Sequence, residues 1–340
     1  MAEMVTALAN LDFEYELAGR TFPAWVVQRW RHVLRLLPQA RQAVCLEPAT
    51  PEAISGTLLP WGVTPRVVKL APGQEFPDPE VVRQVNDKRF SHLLEKRFGV
   101  ELPYACLVSS LEELEQAVQQ CPFDWVLKHP MGVSARERAV GKRGRLSDSG
   151  RGWARKQFAE WTLLFEPWVD PRQDFSLHFE IARDGAVEFL GHCLLTADPG
   201  GVYRGNTVLP EREVPIRALA CGRQVAGELA RLGYWGPVGI DAFEGLLGDQ
   251  PILRPLVEIN ARYSFGRLTL ALGDWLPSGW CFSWSHPKLA APAFPPLPRH
   301  PSPGIYGVPI EADPDGSSGT FVCVARTAEE LSRIAQKEKV

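Results

Sequence analysis

A chain of 340 residues exceeds one typical compact core, and two or three lobes of about 100–150 residues each are expected. Apolar residues make up 45% and charged residues 23%, which excludes the disordered and fibrous classes. A net charge of −3 gives no reason to expect nucleic acid or an acidic membrane as partner. Residues 1–17 carry Glu3, Asp12, Glu14 and Glu16 where a leader would be basic and then apolar, and no apolar run reaches bilayer length. The seven cysteines are scattered and never spaced as a metal clip, so a reducing, cytoplasmic protein is expected.

Residues 22–79 alternate apolar pieces with proline-rich turns and read as a small α/β lobe. A helix is expected over 81–98, stopped by Gly99 and Pro103. A strand over 104–108 follows, and then Ser110 with Glu113 three residues on, a capping box opening a helix to 120. Residues 124–128 are short, apolar and β-prone. Residues 131–152, rich in glycine, serine and basic side chains, read as a mobile loop, with a short helix at 152–159 and a strand at 163–165 beyond it. Segments 175–181 and 186–195 flank Asp184-Gly185, a hairpin signal. A helix over 214–232 precedes strands at 238–243 and 253–259. Text rich in proline and tryptophan after Pro277 reads as a long surface wrap, and a strand at 321–325 and a helix opened by Thr327 and Glu330 end the chain. No internal repeat is visible. Trp153, Trp161, Trp235, Trp280 and Trp284 read as core or as pocket lining. His192 and Cys193 are adjacent, so a strand sends them to opposite faces and ordinary packing is expected of them.

The chemistry concentrates at residues 256–262. Strand alternation points Glu258, Asn260 and Arg262 to one face and Val257, Ile259 and Ala261 to the core. Residues 239–243 place Asp241 within a second apolar strand. If the two strands are neighbours, Asp241, Glu258 and Asn260 form an oxygen cluster suited to Mg²⁺; otherwise the carboxylates pair with arginines in a buried ionic network.

The pattern GPVGIDAF, a gap, then LVEINAR resembles the metal-binding end of the ATP-grasp superfamily, whose members commonly join a carboxylate to an amine. Other pieces covering roughly residues 85–272 occur in that family's order. VNDKRFSHLLEKRFGVELP is similar to its lysine-bearing segment before the lid, matching Lys88, and WVLKHP to the strand whose lysine reaches the nucleotide phosphates, matching Lys128. LLFEPWVDPRQDFSLHF is similar to the hinge between lobes, which implies Glu166, Trp168 and Val169 beside the adenine and Asp174 near the ribose. The resemblance implies an α+β fold of ATP-grasp architecture, with nucleotide held between two α+β lobes. The implied domains are an N-terminal α/β lobe (1–85), a lid lobe (86–165), a second lobe with the metal site (166–290) and a C-terminal wrap with a terminal strand and helix (291–340). Implied cofactors are ATP and Mg²⁺, which Mn²⁺ could replace, with a small-molecule carboxylate and amine as substrates and neither nucleic acid nor membrane as partner. A homodimer is compatible, the oligomeric state being left open.

Standing alone, Lys128 reads as a surface lysine, Lys88 as a solvated helix position and Glu166 as a surface carboxylate. The sequence departs from the family in its lid: residues 131–138 hold one glycine, so Ser134, Arg136, Arg138 and backbone amides are the candidates for phosphate contact there. Residues 198–206 read as a flexible loop, and the family implies that its one cation, Arg204, meets the γ-phosphate or acyl phosphate. Arg262 is expected to stabilise a tetrahedral anion, or else to pair with Glu258 or Asp241. The expected reaction is ATP-dependent ligation through an acyl phosphate. A kinase on the same scaffold and a non-catalytic nucleotide-binding protein with a degenerate lid are the alternatives.

Overall fold

Three sheets organise the computed structural model, which describes residues 4–21, 42–44, 50–132, 137–197, 202–285, 295, 297–298, 300–307 and 321–337. The first is parallel, with β1 (Val5–Leu8) between β2 (Gln42–Val44) and β3 (Thr57–Pro60). Parallel pairing agrees with the expected α/β lobe. The exposed edge of β3 is blunted by a side chain: the Gln74 amide donates to the Leu58 carbonyl and accepts from its N–H, each at 2.7 Å.

The single helix expected over 81–98 is two, Pro79–Val85 and Lys88–Phe98. Asp87 starts the second by accepting from the Arg89 N–H at 2.8 Å, and Asn86 in the break accepts from the Ala261 N–H at 3.0 Å. A cap therefore interrupts an unbroken apolar pattern and ties it to the end of a distant strand. Gly99 ends the helix with φ 66°, a left-handed conformation that suits glycine.

The second sheet is antiparallel, in the order β4-β7-β5-β6, built from β4 (Cys106–Val108), β5 (Trp125–Lys128), β6 (Arg138–Gly141) and β7 (Leu163–Pro167). Helices Leu111–Gln120 and Asp148–Gln157 back it, with Leu114, Trp125, Leu127, Ala154 and Phe165 in a shared core. The basic stretch 131–152, expected as one loop, contains β6 and the start of a helix, because residues 138–141 complete the pairing of β5. Ser110 accepts from Glu113 N–H at 3.2 Å, while Glu113 reaches back to Ser109 rather than to Ser110, accepting its N–H at 2.7 Å.

The third sheet has eight antiparallel strands: β8 (Asp170–Ile181), β9 (Val187–Ala197), β10 (Tyr203–Val208), β11 (Gly236–Leu247), β12 (Gln250–Asn260), β13 (Cys281–Ser285), β14 (Gly304–Gly307) and β15 (Phe321–Ala325). Their order is β12-β11-β8-β9-β10-β13-β15-β14. Helix Ile216–Arg231 covers one face, where Leu177, Phe179, Val238 and Ile240 meet Ala218, Val225, Ala226 and Leu229. Alternation sends Asp174, Ser176, His178 and Glu180 to the other face. Beyond Pro277 the chain is not simply a surface wrap: Trp284 and all of β15 are buried, so apolar β13 and β15 are drawn into this sheet despite the prolines between them. Among the described residues no helix is long and apolar enough to cross a membrane.

Candidate functional site

The β11–β12 hairpin, turning at Gly248 with φ 60°, sets Asp241 directly opposite Glu258 and Gly239 opposite Asn260. Asn260 Nδ2 donates to Asp241 Oδ2 at 3.1 Å, and Arg262 donates to Asn260 Oδ1 at 2.8 Å. Lys88, at the start of helix Lys88–Phe98, donates to Glu258 Oε1 at 2.7 Å and to the Gly132 carbonyl at 2.6 Å. It is thus half-buried at an ion pair rather than solvated, although the helix sequence alone reads as charged surface.

Burial first, and the neighbouring Glu258 charge second, push the Asp241 carboxyl up to about 7, against the pull of Arg262 and Asn260. No cation forms an ion pair with Asp241 among the described residues. The group contains no third His, Cys, Asp or Glu; its donors are two carboxylates and the Asn260 carbonyl, which keeps a second lone pair beside its bond to Arg262. Hard oxygen donors around an uncompensated carboxylate fit Mg²⁺. Arg262 pairs with neither Asp241 nor Glu258. Its guanidinium is held by Glu14 Oε1 at 2.5 Å and lies 5.7 Å from the centre of the Trp61 ring, so the N-terminal lobe braces it.

A second charged group lies further along β12. Arg254 binds Glu95 through Nε at 2.8 Å and Nη2 at 3.0 Å, and grips both oxygens of Glu166, whose Oε2 also meets Lys128 Nζ at 2.6 Å. Glu95, Glu166 and Arg254 are at most 2% exposed, so Glu166 is not a surface carboxylate and Lys128 is not a free surface lysine. Burial alone would raise Glu166, and the charges of Arg254 and Lys128 more than reverse it, holding it far below the usual carboxylate range. Burial pushes Glu95 up to about 7 against the pull of Arg254.

The hinge after Glu166 presents Trp168, 38% exposed with the Arg138 guanidinium 5.6 Å from its ring, and buried Val169. Asp174 stands opposite Phe243 on the same sheet face as Asp241; burial raises its carboxyl, and its charge adds a small push to Asp241. Ser134 and Arg136 lie outside the described residues, and so does 198–201 of the expected loop. The remainder of that loop is strand, and Arg204 sits at a bulge in β10 between Tyr203 and Gly205. Two strands separate β10 from β11, so Arg204 does not stand on a strand adjacent to Asp241.

A buried polar strip fills the interval between those strands. Ser176 Oγ lies 2.8 Å from His178 Nε2 and 3.3 Å from Cys193 Sγ, and Asn206 donates to Thr269 Oγ1 at 3.1 Å. Helix Phe265–Leu272 closes over it so tightly that a Cβ on Gly266 would come within 2.4 Å of His178 Nε2. Sequence reasoning missed Glu14, Glu95, His178, Glu180 and Arg254. Two signals were available: Arg254 interrupts an apolar strand, and polar residues recur at every second position from Asp174 to Glu180.

No family model matches the chain, and no curated protein matches it either. Solved structures do. The chain is similar to the biotin carboxylase domain of the Hydrogenobacter thermophilus 2-oxoglutarate carboxylase, solved with MgADP, ADP and bicarbonate (TM-score 0.64, 14% identity, 99% of this chain and 90% of that one). It is similar to Campylobacter jejuni biotin carboxylase in its β-γ-ATP complex (0.63, 12%, 99% and 90%). It also matches Staphylococcus aureus N5-carboxyaminoimidazole synthetase complexed with ADP (0.62, 9%, 99% and 97%). At these identities the likeness shows a shared fold over nearly the whole chain.

Proposed function

We propose that this chain, whose fold is the ATP-grasp fold, is an ATP- and Mg²⁺-dependent ligase that joins a carboxylate to an amine and releases ADP and phosphate. The observation that carries this reading is the opposed pair Asp241 and Glu258 with Asn260 beside them, an oxygen cluster with less positive charge than its carboxylates call for. Nucleotide in these three similar structures, and magnesium in the first of them, support the same assignment. Bound among these oxygens, Mg²⁺ would offset the phosphate charge that repels an incoming carboxylate.

The chain's own residues supply the rest. Lys88 and Lys128 each face a carboxylate that a phosphate oxygen can replace, and Arg254 keeps Glu166 neutralised when Lys128 turns away. The hinge at Glu166, Trp168 and Val169 takes the base, with Asp174 toward the ribose. The substrate carboxylate attacks the γ-phosphorus, ADP leaves, and the amine then displaces phosphate from the acyl phosphate. Arg262, fixed by Glu14, faces the tetrahedral anion of that last step, and Arg204 supplies charge from β10.

The test is to incubate purified protein with MgATP, a panel of carboxylic acids and hydroxylamine. Expected is ADP release matched by hydroxamate for at least one acid. A phosphate ester without hydroxamate would identify a kinase, and ATP binding without either product would identify a non-catalytic protein.

A further inference from the structure

Beyond Arg262, a cavity of about 1010 Å³ separates the N-terminal lobe from the far end of the large sheet. Trp61 and β3 form one wall, and Glu180, Tyr234, Trp235, Arg262 and Tyr263 form the other. Its size is at the upper end for small-molecule sites, and aromatic walls with few polar groups are typical of them.

Glu180 is the group in this cavity that its surroundings do not explain. It is half-buried on the sheet face that carries Ser176 and His178, and its side chain has no hydrogen bond or ion pair among the described residues. Burial raises its carboxyl, opposed by the charge of Arg267 from beyond ion-pair distance, with Glu188 adding to the rise. The other cation on this wall, Arg183, is committed elsewhere: it pairs with Glu75 and stacks 4.5 Å from the centre of the Trp235 ring. A carboxylate kept from water without a cation costs free energy unless a ligand supplies one.

The spacing of charges defines the ligand. Pro237 on β11 lies opposite Glu180 on β8, and Arg262 follows the end of β12 on the far side of β11. Two strand spacings, about 10 Å, therefore separate the stretches of backbone that carry the carboxylate at one end of the cavity and the guanidinium at the other. From this we infer that the cavity is the site of the carboxylate substrate, and that this substrate is an elongated zwitterion of the amino-acid or short-peptide class. Its reacting carboxylate lies at Arg262, its protonated amine at Glu180, and its apolar body between Trp61 and Trp235. The identity of the reacting end rests on the ligase reading, whereas the amine pocket at Glu180 stands on the cavity alone.

The experiment compares 8-aminooctanoate, whose charged ends span a similar distance, with octanoate, which lacks the amine, by calorimetry on the full chain. Expected is binding of 8-aminooctanoate at least tenfold tighter than octanoate, with the preference lost in Glu180→Gln and the melting temperature of the variant showing that it folds. Equal affinities in the wild type, or a preference that survives Glu180→Gln, overturn the inference, as does failure of 8-aminooctanoate to bind. Binding of MgATP is titrated separately. Its absence would sink the ligase reading while leaving a Glu180-dependent amine preference intact, so the two failures are distinguishable.

Discussion

Two acidic groups lie along β12, and they are built to opposite rules. Around Arg254, two carboxylates are matched by an arginine and a lysine, and every partner is buried or nearly so. Around Asp241, two carboxylates are matched by one paired lysine, and the second carboxylate has an amide and the more distant charge of Arg262, itself paired with Glu14. Charge balance thus separates a clamp that holds helix Lys88–Phe98, the hinge and β12 together from a group with less positive charge than its carboxylates call for. Residue type alone does not distinguish them, since both consist of glutamate or aspartate beside basic residues.

The largest expected effect tests the clamp. Arg254→Met leaves two buried carboxylates with one lysine between them and is expected to cost about 3–5 kcal/mol of stability in urea melts. A cost below 1 kcal/mol would mean that water or rearrangement rescues the carboxylates and that the contrast between the groups is weaker than drawn.

A smaller effect separates buried neutral groups from both. Burial holds His129 neutral down to about 4, with Arg20 and Lys88 adding to the shift, and holds His178 neutral down to about 3. The unfolded chain takes up these protons first, from its ordinary value of 6.5, so this stability is complete above 6.5 and is lost as pH falls toward the folded values. Between pH 7.5 and 5.5 each histidine is expected to cost about 1.4 kcal/mol. Asp241 and Glu95, raised by burial, act with the opposite sign over the same range, so the quantity to measure is a difference. His129→Gln should gain about 1.4 kcal/mol relative to wild type over that interval. A difference that does not change with pH would show that His129 is not held neutral.

Legibility in the sequence followed the range of the interactions. The opposition of Asp241 to Glu258, with Asn260 beside them, was readable because a two-residue period sorts strand side chains to faces, whereas Arg262 lies past the end of β12 and Leu256 rather than Val257 enters the core, where the pairing slips. The same period marks Asp174, Ser176, His178 and Glu180, yet no local signal says that such a face lines a cavity. The clamp was unreadable as a whole because Glu95, Glu166 and Arg254 come from three distant segments; Arg254 interrupts an apolar strand, but Glu95 and Glu166 each resemble a surface charge. Glu14 grips Arg262 across 248 residues and leaves no trace in either local sequence. The helix break at Asp87 depends on a cap bond and on Asn86 binding the end of β12, which outweigh a continuous apolar pattern. The wrap expected after Pro277 leaves out β13, because proline speaks against strands while burial of Trp284 favours one, whereas the strand expected over 321–325 is β15.

The most direct measurement is calorimetric titration of ATP, with Mg²⁺ and with chelator, into wild type and Asp241→Asn. Expected is at least tenfold weaker MgATP binding in the variant, equal binding once metal is removed, and no loss of melting temperature. Equal MgATP affinity in the two proteins would contradict the assignment of Asp241, Glu258 and Asn260 as the metal pole.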